Sequence, residues 1–240
     1  MAIAYRFATA ATLALLTATI AQAQIPATAA APAPSCELHV WPTENYLGIN
    51  TGLLSGFGPI GAVADLGAHK NRVQTVKDLM RDYLGPEIQM QELTKADVAA
   101  ALRLDGYRIV VEEPTPFNED VKKDPALKEK TKALNARIKS GQRLTASTAP
   151  CYAELVGTMI FYHKAMMYGS NLFGGWIFRR FPADPAGKAL TSNVGAVKNP
   201  LENFPPKSAD RVEPARAELR DAYAKDFAEY VQKKVIGAQP

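Results

Sequence analysis

From Cys36 the chain alternates apolar and polar residues: Cys36, Leu38 and Val40 recur at every second position, with Glu37, His39 and Trp41 between them, until Pro42 closes the run. A period of two marks a strand with one buried face. The next stretch, Asn45 to Ala64, carries no charge and is punctuated by Gly48, Gly52, Gly56, Gly58 and Gly61, so it reads as a loop pressed against a sheet. Pro59 suits a helix start, and Leu66 with His69, Val73 with Val76, and Met80 with Tyr83 then repeat on one helical face. That spacing predicts a long amphipathic helix from Pro59 to Leu84, stopped by Gly85-Pro86. Glu87 to Leu93 alternates as a short strand does, Thr94 and Asp97 suit the start of a short helix through Arg103, and Tyr107 to Glu113 predicts a further strand.

Phe117 to Gly141 is charged and weakly helical, anchored only by Leu127, Leu134 and Ile138, and reads as an excursion from the fold. Cys151 to His163 is apolar on both alternating faces, as a central strand is, and a turn at Tyr168-Gly169-Ser170-Asn171 leads into the aromatic run Leu172 to Phe181. Together they predict a central hairpin. Pro182 to Lys207 reads as a loop, and Ser208 caps a final helix carrying Leu219, Tyr223, Phe227, Tyr230 and Val231. The element order predicts an α+β fold: a mixed β-sheet of about five strands with the long helix and the C-terminal helix packed on it.

Ahead of this domain, Arg6 precedes an apolar run from Phe7 to Ile20, and Ala21-Gln22-Ala23 follows. A charged start, a short apolar core and a small-x-small site make a secretory signal peptide over residues 1–23, cleaved between Ala23 and Gln24. Residues 24–35 are almost all Ala, Pro and Thr and form a flexible lead-in, which leaves 36–240 as a single domain. In the oxidising compartment that export implies, periplasmic or extracellular, the two cysteines, Cys36 and Cys151, are expected to form a disulfide. Each opens a predicted strand. Because a disulfide holds Cα atoms within about 7 Å, bonded strand starts favour either parallel neighbours or a link across the same end of the sheet, and hence a mixed sheet.

Composition narrows the functional classes. With 28 basic and 24 acidic residues, a net charge of +4 is too small for nucleic-acid binding by charge alone. GxGxxG at 56–61 matches a phosphate loop in letters only, since Pro59 removes an amide donor and no strand directly precedes it. His39, His69 and His163 lack ligand spacing, so no metal site and no cofactor is predicted. No nucleophile motif surrounds any serine; Glu112-Glu113 and Glu119-Asp120 read as solvated surface, and Arg179-Arg180 as a strand end reaching water.

In element order, from Cys36 to Val235, the chain resembles the TolB amino-terminal domain and CsgG-like envelope lipoproteins, and also exported proteins of Gram-negative bacteria with a Gly-rich stretch between a strand and a helix such as Ala64 to Leu84. Ala33-Pro34-Ser35 ahead of Cys36 is a poor lipobox, a departure from the lipoproteins. The resemblance implies a non-enzymatic periplasmic protein, an envelope assembly or accessory factor whose partner is an envelope protein or a second copy. Peripheral membrane contact through the Gly-rich segment 48–61 is a further expectation. The competing class is an envelope hydrolase or small-ligand carrier with a site assembled from distant residues.

Overall fold

The apolar run after Cys151 becomes the longest strand, β4 (Tyr152–Ala165), and it pairs antiparallel with β5 (Gly169–Arg180) as a central hairpin. The structure, a computed structural model, describes residues 36–51, 75–165 and 169–237. On its other side β4 is flanked by two short parallel strands in succession: β1 (Glu37–Trp41) along Tyr152 to Val156, and β2 (Tyr46–Thr51) along Ile160 to Ala165. They behave as one strand interrupted at Pro42, which has no N–H for the ladder. The interruption is tied down by Gln89, whose Oε1 accepts from Thr43 N at 2.9 Å and whose Nε2 donates to Thr43 O at 2.7 Å. Opposite it, β4 shifts register between Gly157 and Met159, and a Cβ on Gly157 would stand 3.1 Å from the Trp41 carbonyl oxygen. β3 (Arg108–Val111) lies parallel outside β1, and β6 (Thr191–Leu201) antiparallel outside β5. The result is a six-stranded mixed sheet of order β3-β1-β4-β5-β6, with β2 also on β4.

One face of the sheet carries the main core. Helix α1, described over residues 75–83, α2 (Pro86–Lys95) and α6 (Val212–Tyr230) cover Leu38, Val40, Leu155, Ile160, Leu172, Trp176 and Phe178. Trp176 sits among Tyr223, Phe227 and Tyr230 at ring distances of 5.5, 5.7 and 5.4 Å. The short α3 (Val98–Ala101) links α2 to β3, and the final turns Val231–Ile236 continue α6 as a π-helix. On the opposite face, α4 (Asn118–Lys123) leads into α5 (Pro125–Ser140), which lays Leu134 and Ile138 against Trp41, Leu144 and Val156.

One acid is sealed in the main core. Asp226 on α6 is fully enclosed, accepting from Gly174 N at 2.9 Å and Asn199 Nδ2 at 2.8 Å, and burial pushes its carboxyl up to about 7. Because the folded state then holds the proton more tightly than the unfolded chain, this stabilisation is complete below the ordinary value of 3.8 and is lost as pH rises through about 7. Asp226→Asn, which carries no titrating proton, is expected to flatten that slope. Urea unfolding at pH 5 and pH 8 should show the wild type losing on the order of 2 kcal/mol more than the variant; parallel pH profiles would remove Asp226 as the source.

The α+β class and the hairpin agree with the sequence pattern, while several elements differ. Glu87 to Leu93, predicted as a strand, is helix α2: Pro86 opens it, and Gln89, Glu92 and Leu93 are buried at helical spacing. Seven residues of alternation suit either period, and the flanking Pro decides. The predicted helix from Thr94 to Arg103 reduces to α3, with Asp97 accepting from Ala100 N. The start of the uncharged stretch is strand β2 rather than loop, and the presumed loop 182–207 contains β6. Pro200 hid β6 from view, yet proline is tolerated on an edge strand. The excursion 117–141 forms two helices, with Asp124 capping α5 and Gly141, at φ +74°, closing it. Ser208 makes no side-chain cap, and α6 begins at Val212 after a turn of 3-10 helix, Ala209–Arg211. The signal peptide, the lead-in, Gly52 to Gly61 and the helix positions before residue 75 lie outside the described residues.

Candidate functional site

The site grows from the strand starts. β1 and β4 run parallel with Glu37 opposite Tyr152, so the preceding residues, Cys36 and Cys151, stand side by side, Cα atoms 4.6 Å apart, and are joined as a disulfide. Immediately beyond, on the α5 side of the sheet, charged groups gather where the alternation had suggested only a half-polar face. His39 is 5 % exposed, with Nε2 2.9 Å from Glu37 Oε2 and Nδ1 2.6 Å from Glu112 Oε1. Each ring nitrogen thus lies within hydrogen-bond distance of a different carboxylate, and the imidazole bridges the two acids. Glu37 also accepts from Ser147 Oγ and Arg108 Nη2, each at 2.5 Å. The Ser147 hydroxyl above all, with His39 and Arg108, holds the Glu37 carboxyl below its usual range despite burial.

A second charged layer lies deeper. Glu154 on β4 and Arg179 on β5 are both fully enclosed and pair through Oε2 and Nη2. Glu154 Oε1 accepts from Leu144 N at 2.6 Å and from the Tyr152 hydroxyl at 2.7 Å. The Arg143 guanidinium lies 4.5 Å over the Tyr152 ring. Burial first, and then the Glu154 charge, raise the Tyr152 phenol. These bonds lock the loop 142–149 to the sheet.

Chemically the cluster is saturated. With each ring nitrogen engaged by a carboxylate, His39 has no free nitrogen to offer a substrate or a metal. Its work is to join β1, β3 and the loop at Ser147. His39→Gln, whose amide presents a donor to one carboxylate and an acceptor to the other, is expected to lower stability by about 2 kcal/mol with the disulfide intact. Thermal unfolding of the oxidised protein checks this; an unchanged midpoint would mean the cluster contributes nothing.

Beside the cluster, the segment from Glu112 to Pro116 and helix α5 enclose a cavity of about 450 Å³. Its floor is Trp41 and Leu144, its α5 wall includes Leu127, Leu134 and Arg137, and Glu112 faces it from the strand side. Glu113 and Lys130 pair across the mouth.

The sequence-level candidates disperse. His163 lies near the end of β4 with its ring beside Phe161 and Phe173, about 30 Å along the strand from the Glu154 that faces His39. His69 and the glycines of the GxGxxG match fall outside the described residues. Among the described residues, no group of three or more His, Cys, Asp or Glu side chains is arranged to hold a metal. Glu112 and Glu113 turn to different partners, His39 and Lys130, and Glu119 pairs with Lys77. Arg179, read as a surface strand end, is instead buried, because Glu154 lies across the ladder from it. One sign was available: Glu154 is a lone charge inside a run apolar on both faces, and such a charge needs a buried partner.

Neither a family model nor a curated protein sequence matches the chain. Among solved structures, it is similar to a hypothetical protein of Chlamydia trachomatis, with 8 % identity, 83 % of this chain and 95 % of that chain covered, and a TM-score of 0.37. It is also similar to lipoprotein GNA1162 of Neisseria meningitidis, with 11 % identity, 79 % and 99 % covered, and a TM-score of 0.27. No helix among the described residues is long and apolar enough to cross a membrane.

Proposed function

We propose that this chain is an exported protein of the bacterial envelope, periplasmic or secreted, which acts through its surfaces as an assembly or accessory factor and not as a catalyst. The observation that carries it is the Cys36–Cys151 disulfide, set at the starts of two neighbouring strands, β1 and β4. Such bonds persist in oxidising compartments, the setting expected from a sequence pattern over residues 1–23 of the secretory kind. The saturated Glu37–His39–Glu112 cluster supports a structural role for its titratable groups. Surfaces are at hand: Ile49 on β2 and Val194 on β6 are 43 % and 63 % exposed. A second reading, a small-ligand carrier, is favoured by the cavity under α5 alone.

Fractionation with intact-mass measurement tests the main reading. The expected result is a periplasmic or extracellular species beginning at Gln24 that takes up no alkylating label before reduction. Retention in the cytoplasm with Met1 attached, or two labelled thiols in the exported protein, would refute it.

A further inference from the structure

We propose that the free edge of β3 and the cavity under α5 form one groove for an extended peptide, which adds to β3 as a strand, sets an apolar side chain into the cavity and places a carboxylate on Arg137. This rests on the reading of a protein that works through its surfaces, and supplies the kind of partner.

The backbone supplies the first half. β3 is the terminal strand of the sheet order among the described residues. Its even-numbered residues bond to β1, with Arg108 N on Cys36 O at 2.8 Å and Glu112 N on Val40 O at 2.9 Å. In a parallel ladder the alternate residues face the other way, so Ile109, Val111 and Glu113 turn N–H and C=O outward. Val111 is 57 % exposed. A peptide strand on such an edge gains main-chain hydrogen bonds, and its alternate side chains select the sequence. The opposite edge, β6, is already partly occupied: Asn193 O accepts from the Tyr230 hydroxyl at 2.6 Å, and Asn193 Nδ2 donates to Lys234 O at 2.8 Å.

The cavity supplies the second half, since β3 runs directly into it at Glu112 and Glu113. Trp41, Leu134 and Leu144 suit an aliphatic side chain. Charge then chooses its neighbour. Glu37 is paired with Arg108 and Glu113 with Lys130, whereas Arg137, which gives Nη1 to the Leu144 carbonyl at 2.8 Å, makes no ion pair among the described residues. Arg137 is therefore the groove cation without an ion-pair partner among the described residues, so an acidic peptide residue complements it and a basic one does not.

Three blocked heptapeptides of alternating Val and Thr test the proposal, one with a central Leu-Asp, one with Leu-Lys and one with Leu-Asp between prolines. Titration into the oxidised full-length mature protein, read by backbone amide shifts, is expected to move Ile109, Val111 and Glu113. The Asp peptide should bind at least tenfold tighter than the Lys peptide, and the proline peptide not at all. Val111→Pro removes one outward N–H without touching the β1 ladder and should weaken the Asp peptide about tenfold at an unchanged melting midpoint. Arg137→Glu should reverse the preference between Asp and Lys peptides. Failure of the Asp peptide to bind at millimolar concentration, equal binding to Val111→Pro, or shifts confined to β6 would overturn the groove. Proteins crosslinked in the periplasm through other faces would leave the surface-acting role standing, so the two ideas fail separately.

Discussion

Replacing Cys151 with serine is expected to lower the stability of the folded protein by about 4 kcal/mol, because the bond closes a loop spanning 115 residues of sequence. The cross-link restricts the unfolded chain more than it strengthens any contact, so most of the loss should appear as a lower urea midpoint. The m-value should rise, because the uncrosslinked chain unfolds to a more expanded ensemble. The structure adds a reason for loss beyond chain entropy. Cys36 and Cys151 lead two parallel strands whose starts lie far apart in sequence, and parallel pairs lack the short turn that sets register in a hairpin. Reducing the wild type should reproduce the variant's midpoint, and Cys36→Ala combined with Cys151→Ala should match either single change. A shift below about 1 kcal/mol would show that the sheet holds its register without the bond.

Arg179→Met is expected to cost about 3 to 5 kcal/mol, since it leaves Glu154 fully enclosed with no cation. The penalty belongs to the orphaned charge and not to the lost pair, which a double-mutant cycle separates. Adding Glu154→Gln keeps an acceptor for Leu144 N and the Tyr152 hydroxyl while deleting the charge, so the double variant should regain about 1 to 2 kcal/mol over Arg179→Met alone. A double variant no better than the single would place the cost in packing around Phe181, over which the Arg179 guanidinium lies at 5.1 Å. Either outcome leaves the loop 142–149 as the segment to watch, because Glu154 anchors it to β4 through Leu144.

How far the sequence could be read follows from how local each cause was. The hairpin of β4 and β5 was plain because its apolar residues exceed what any surface strand carries, and the final helix because Leu219, Tyr223, Phe227 and Tyr230 keep helical spacing. β6 was hidden, since its residues alternate polar and small groups with only Val197 and Leu201 deeply buried. Its strand character comes from pairing with β5, not from its own composition. The same holds for β2, whose glycine and asparagine read as loop until Ile160 to Ala165 offered a ladder. The charged helix α5 looked detached because nothing in its sequence names Trp41 and Val156 as the surface it covers.

By itself the sequence determined the α+β class, the central hairpin, the final amphipathic helix and, through two cysteines at strand starts, that those two starts lie close together. Periodicity and chain-entropy effects act over a few residues or through a single bond, and both are written in the order of side chains. Only the tertiary structure decided that His39 bridges Glu37 and Glu112, that Arg179 lies buried on Glu154, and that β3 lies at the edge of the described sheet beside a cavity. Each of those facts depends on which strand lies beside which. A charge is stabilised or orphaned by neighbours scores of residues away in the chain, and no local pattern specifies them.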